Sequence, residues 1–201
     1  MPSAGVSRSL PEIEKIRSSV IYQKVIPMNI ENVSPQMQRR FKILDEMVKK
    51  GYIKPIKPLF DFLPSLCFYA EKTSEFNNAP QELKKEFNQN MFSWYAFWLG
   101  IFAFTQTKLE KDYLIYFSSF IVIISLLPPN PFDTGLGLGF SIFLSRAFVF
   151  SRYYQYKNYG RCPSNRNTFS AIFISLIYFG ILIIVSTIIQ TILYPDTNEN
   201  Y

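Results

Sequence analysis

The chain has 201 residues, 48% hydrophobic and 18% charged, with a formal net charge of +6, two cysteines and no histidine. That length suits one ordinary domain, and the lack of histidine removes the commonest general base and the commonest metal ligand together. Cys67 and Cys162 have no CxxC neighbour, which argues against a disulfide framework, a structural zinc site or an iron–sulfur cluster.

The charges are unevenly spread. Residues 1–90 carry 14 of the 21 Lys/Arg and 10 of the 15 Asp/Glu, whereas residues 91–201 hold 12 charges in 111 positions. The chain is expected to be all-α: a polytopic helical membrane protein with a polar N-terminal docking region, 1–77, and a transmembrane region, 78–201. Basic and acidic residues alternate in KILDEMVKK and QELKKEF. This is the pattern of a solvated helix surface, so nucleic acid is not an expected partner.

The opening MPSAGVSRSL is followed at once by Glu12 and Glu14, which disfavours a cleaved, acid-poor transit peptide. Ser9 and Glu12 form a capping box for a first short helix, which Pro27 stops. Ser34 caps a second helix with Pro35 at its first position, and Gly51 ends it. Met37, Phe41, Leu44 and Val48 share one face of that helix. Ninety residues broken by prolines have little core of their own, so this face is expected to dock on a partner.

The segment 52–70 contains Pro55, Pro58 and Pro64, which forbid one long helix. It is expected to be extended, with a short apolar piece lying at an interface or packed under the N-terminal helices. Asn78 is the expected cap of a third helix, running from Ala79 through Leu83 and Phe87 straight into the first apolar run.

Four apolar runs follow, at 91–107, 113–127, 135–155 and 168–194, giving four expected transmembrane helices, with a three-span version, in which 135–155 lies flat as an amphipathic segment, as the alternative. The first has Trp94, Tyr95 and Trp98 near one end, where an aromatic belt would lie. The turn KLEKD, 108–112, separates it from the second. The last run has 27 residues without a charge; at ~40 Å of helix it exceeds a ~30 Å hydrocarbon core and must tilt or protrude.

GLGLGF, in the third run, is neither GxGxxG after a strand nor a P-loop. On a helix, Gly135, Gly137, Gly139, Ser141 and Ser145 form a small-residue pattern that lets two backbones approach closely in lipid. Ala171 and Ser175 repeat it once on the last run. Arg146 lies near the middle of the third run, where a charge is expensive. It is expected to meet a partner subunit or a lipid head, or to bend toward the nearer interface. Arg152, Lys157, Arg161 and Arg166 lie among tyrosines in a segment expected to touch anionic headgroups at the membrane surface.

HExxH, GxSxG and Walker motifs are absent. The residues therefore point to no catalytic set, no cofactor, no metal and no small-molecule substrate. The expected function is that of a non-catalytic accessory subunit of a large membrane complex, with other subunits and anionic phospholipids as partners. The start of the chain and its Phe/Ile/Tyr/Asn-rich vocabulary favour a mitochondrial inner-membrane complex of oxidative phosphorylation. The alternatives are a small translocase or transporter component and, further off, a membrane-embedded lipid-modifying enzyme.

Overall fold

The computed structural model describes residues 32–59, 67–128, 133–159 and 164–195. The expected helix capped by Ser9 lies outside the described residues. Those described are helical and contain no β-strand, only one isolated antiparallel bridge between Ile53 and Lys72.

Helix α1, Pro35–Lys49, begins and ends as its sequence dictates. The Ser34 side chain accepts the Met37 N–H at 3.3 Å, and Pro35 occupies the first turn. At the other end Gly51 takes φ +74°. Its N–H reaches Val48 O and that of Tyr52 reaches Met47 O, each at 3.0 Å. This is a Schellman cap, and its left-handed position favours glycine because a Cβ would meet the carbonyl.

Helix α2, Gln81–Asn90, follows a short 3₁₀ turn, Ser74–Asn78. The expected Asn78 cap is not formed: Pro80 stands at the cap position, and the Asn78 amide donates to Glu75. Nor does α2 continue into the apolar run. Ser93 starts a new helix by accepting the Ala96 N–H, and its own N–H turns to Ser145 O at 3.3 Å. Arg40, 4% exposed, donates to Phe92 O at 2.7 Å and fixes the break from the other side.

Helix α3, Trp94–Gln106, is bent at Gly100, whose φ of +41° and ψ of −121° leave the helical region. The bend brings the Tyr95 hydroxyl to the Gln106 side chain. The Tyr113 hydroxyl lies 3.6 Å from where a Gly100 Cβ would stand and against the Ile101 backbone. Helix α4, Glu110–Ser125, helix α5, Asp133–Tyr159, and helix α6, Thr168–Leu193, complete the set.

The described residues make one compact unit with α3 at its centre. Phe104 of α3 meets Tyr113 of α4 and Phe148 of α5, with ring centroids 5.3 and 5.1 Å apart. Thr105 receives the Ser175 hydroxyl of α6 at 3.3 Å. Farther along, Phe120 stacks on Phe140 at 4.1 Å, and Ser125 meets Ser186 at 3.1 Å.

The all-helical architecture is as expected, whereas four membrane-crossing helices are not shown. Among the described residues, α6 is the one helix long and apolar enough to cross a bilayer. Its 26 residues give ~39 Å. Helix α3 has 13 residues and is bent, and α4 has 16. Helix α5 is long enough, but Arg146, Arg152 and Lys157 interrupt it and its last turns are covered by α1.

Candidate membrane and partner interface

The expected docking face is an internal contact. Met37, Phe41 and Leu44 are buried, and Val48 is half-buried. Phe41 stacks on Tyr156 at 5.2 Å and meets the edge of Tyr153 at 5.6 Å. The reason is supplied by α5, which outruns its apolar stretch by several residues and presents those tyrosines to α1. Tyr153 and Tyr156 therefore do not form a headgroup belt. The expectation that this face needs a partner is corrected: the chain covers it itself.

Cys67 and Phe68 are packed internally as well, while Tyr69 is exposed. Cys67 is fully buried, and its carbonyl accepts the Ser151 hydroxyl at 3.2 Å. Phe68 lies against Tyr116 of α4 and Phe143 of α5. Burial, and secondarily the Asp112 carboxylate, pushes the Cys67 thiol well above its ordinary range.

The basic residues expected at the membrane surface divide. Arg152 is 3% exposed. It donates to Thr107 O at 3.3 Å, Gln155 Oε1 at 2.8 Å and Asn165 Oδ1 at 3.3 Å. A cation on the C-cap carbonyl of α3 also suits the negative end of that helix. Arg166 pairs with Glu110 at 2.5 Å, and its backbone N–H reaches Gln106 O at 2.7 Å. Lys157 pairs with Asp45 at 2.6 Å. These three cations hold elements of the chain together, which corrects their expected role in lipid contact. Arg161 lies outside the described residues. Arg146 differs from the others: it is exposed on α5.

The small-residue pattern also divides. Ser145 is buried against Ser93. Gly135, Gly137 and Gly139 face open space, since a Cβ at any of them would meet nothing within 4 Å. The minor pair does pack a helix within the chain: Ala171 and Ser175 are buried against α3 at Thr105.

Large apolar side chains stand exposed along α6, including Phe169, Phe173, Leu176, Ile184 and Ile192. The glycine end of α5 adds Leu136, Leu138 and Ile142. Among the described residues no group of three or more His, Cys, Asp or Glu could hold a metal ion.

Sequence reasoning missed Asp45, Thr107, Asn165 and Glu110 as the groups that occupy the cations. Their partners lie from 13 to 112 positions away, measured from Arg152–Asn165 to Lys157–Asp45, and no periodicity links such residues. Comparison with protein-family models, with curated proteins and with solved structures finds no match.

Proposed function

We propose that this chain is a non-catalytic membrane subunit of a larger complex, held by helix packing and lipid contact. The observation that carries this reading is the open face of α5. Gly135 and Gly139, four apart, have open space where a Cβ would stand among the described residues, and they lie on the same side of the helix as the exposed Arg146. Small faces in lipid gain their stability from a second backbone at short range. A lone arginine at such a depth gains from an acid, a carbonyl or a phosphate supplied from outside.

In this reading α6 crosses the bilayer, α4 and the glycine end of α5 lie beside it, and the bent α3 enters from the polar end. That uses all four apolar runs within the membrane, with the first re-entrant. Arg152, Glu110, Arg166 and Asn167 cluster at the level where the apolar surface begins. A mitochondrial inner-membrane complex of oxidative phosphorylation remains our proposed host, supported by the Phe/Ile/Tyr/Asn-rich composition.

The bend at Gly100 favours a second reading, because transporters place binding sites at broken helices. Here the break is occupied by the Tyr113 hydroxyl, which supports the packing role instead. Purification from native membranes in mild detergent tests the proposal. Other chains should co-purify, and the protein reconstituted alone should show neither flux nor turnover. Recovery as a lone 23.5 kDa species that catalyses solute flux would overturn it.

A further inference from the structure

The turn T107-K108-L109-E110-K111-D112 is electrically neutral as a sequence, with two lysines and two acids. The fold separates them. Thr107 and Leu109 are buried, Glu110 turns inward to Arg166, and Asp112 is 2% exposed. Lys108 and Lys111 are left exposed, and neither meets a carboxylate among the described residues. The outward face of the turn is therefore cationic although its composition is not.

Both lysines occupy positions where helix rules favour something else. Helix α3 ends in the same Schellman cap as α1: the Lys108 N–H reaches Thr105 O at 3.2 Å, and the Leu109 N–H reaches Phe104 O at 2.8 Å. In α1 the left-handed position is Gly51; in α3 it is Lys108, at φ +60°. A side chain there is disfavoured by its Cβ. Lys111 stands in the first turn of α4, at the positive end of the helix dipole, where a cation is also disfavoured. Two local departures that both deliver an outward ammonium ask for a gain outside the local structure.

Position supplies the gain. The Arg166–Gln106 backbone bond ties this turn to the start of α6. There Phe169 is 83% exposed, and the apolar face of α6 begins. Lysines at such a boundary reach the headgroup layer with their stems along the apolar surface.

We infer that Lys108 and Lys111 together bind the headgroup of an anionic phospholipid at the edge of the bilayer. This rests on the membrane reading above and moves the lipid contact from Arg152, Lys157 and Arg166 to the opposite pair.

The test titrates phosphatidylglycerol, and separately phosphatidylcholine, into the full-length chain in mild detergent and reads bound lipid by native mass spectrometry. Wild type should prefer phosphatidylglycerol. Each Lys→Gln change should weaken that binding about fivefold, and the double change K108Q/K111Q roughly 25-fold. Lys108→Gly should weaken binding while raising Tm, because it restores the favoured residue at the left-handed position. Unchanged affinity in the double variant overturns the inference. So does a Lys108→Gly protein with lower Tm, which would make the lysine a structural residue. Carbonate extraction of wild-type membranes separates the two claims. Release of the chain sinks the membrane reading and this inference together, whereas retention with equal binding of both lipids sinks this inference alone.

Discussion

The Tyr153 hydroxyl donates to Asp45 Oδ1 at 2.7 Å, joining residues 108 positions apart. The same carboxylate oxygen pairs with Lys157 at 2.6 Å, one turn farther along α5. Around this point Phe41 fills the space between Tyr153 and Tyr156. The polar N-terminal helix is thus seated on the far end of an otherwise apolar one. That contact makes α1 part of the same folded unit as the apolar helices.

Truncating Phe41 should release α1. Phe41→Ala removes a fully buried ring and should cost about 3–5 kcal/mol. Tyr153→Phe keeps the ring and loses the hydrogen bond, costing about 1–2 kcal/mol. Limited proteolysis between residues 32 and 59 reads the release directly. Equal resistance in wild type and Phe41→Ala would mean that α1 is held elsewhere.

Arg152 and Arg146 lie six residues apart on one helix and should behave oppositely. Arg152→Gln strips hydrogen bonds from Thr107, Gln155 and Asn165. It should lower stability by about 2–3 kcal/mol, since Thr107, whose carbonyl loses its charged donor, stays buried. Arg146→Gln, on an exposed side chain, should leave the isolated chain's Tm unchanged. Thermal unfolding of the two detergent-solubilised variants decides the matter, and equal shifts would contradict the different environments described for them.

Cys67 gives a pH dependence. Its thiol is fully buried and pushed upward by desolvation first and by Asp112 second. An unfolded thiol ionises near pH 8.5. Above that pH the unfolded chain releases a proton that the folded chain retains. Stability from this site is therefore complete below pH 8.5 and falls as pH rises, by up to ~1.4 kcal/mol per unit. Cys67→Ala should flatten that slope relative to wild type between pH 8.5 and 10. Iodoacetamide at pH 8 should leave Cys67 unmodified in the folded protein and label it in denaturant; rapid labelling of the native chain would place the thiol at the surface.

Much of the fold was legible where a local rule decides it. Ser34, Pro35 and Gly51 bound α1 as their chemistry requires, and the last apolar run became one long helix capped by Asn167. What stayed hidden depended on distant partners. The α2–α3 break needs Arg40 on Phe92 and Ser145 on Ser93. The bend in α3 hangs on one glycine inside an unbroken apolar run. The basic cluster after residue 150 looked like a membrane surface because its acids, Asp45 and Glu110, lie far back in the chain. Gly135 and Gly139 face outward, but no sequence rule could say that Ser145 and the shorter pair, Ala171 and Ser175, would be the ones used within the chain.

The open glycine face permits a separation of folding from assembly. A Cβ at Gly139 meets nothing within 4 Å, so Gly139→Leu should fit the isolated chain without a clash. Replacing glycine inside a helix also removes its conformational penalty, a gain of up to ~1 kcal/mol. The isolated variant should therefore melt at or above the wild-type temperature. In the native membrane the larger side chain holds a neighbouring backbone away, and recovery of co-purifying chains should fall. Arg146→Leu should likewise leave the isolated fold intact and insert more readily, while weakening assembly if a partner supplies its counter-group. Normal assembly of Arg146→Leu with loss in Gly139→Leu would assign the arginine to the lipid interface and keep the helix contact. Normal assembly of both would turn this face of α5 toward lipid, and the subunit reading would lose the observation on which it stands.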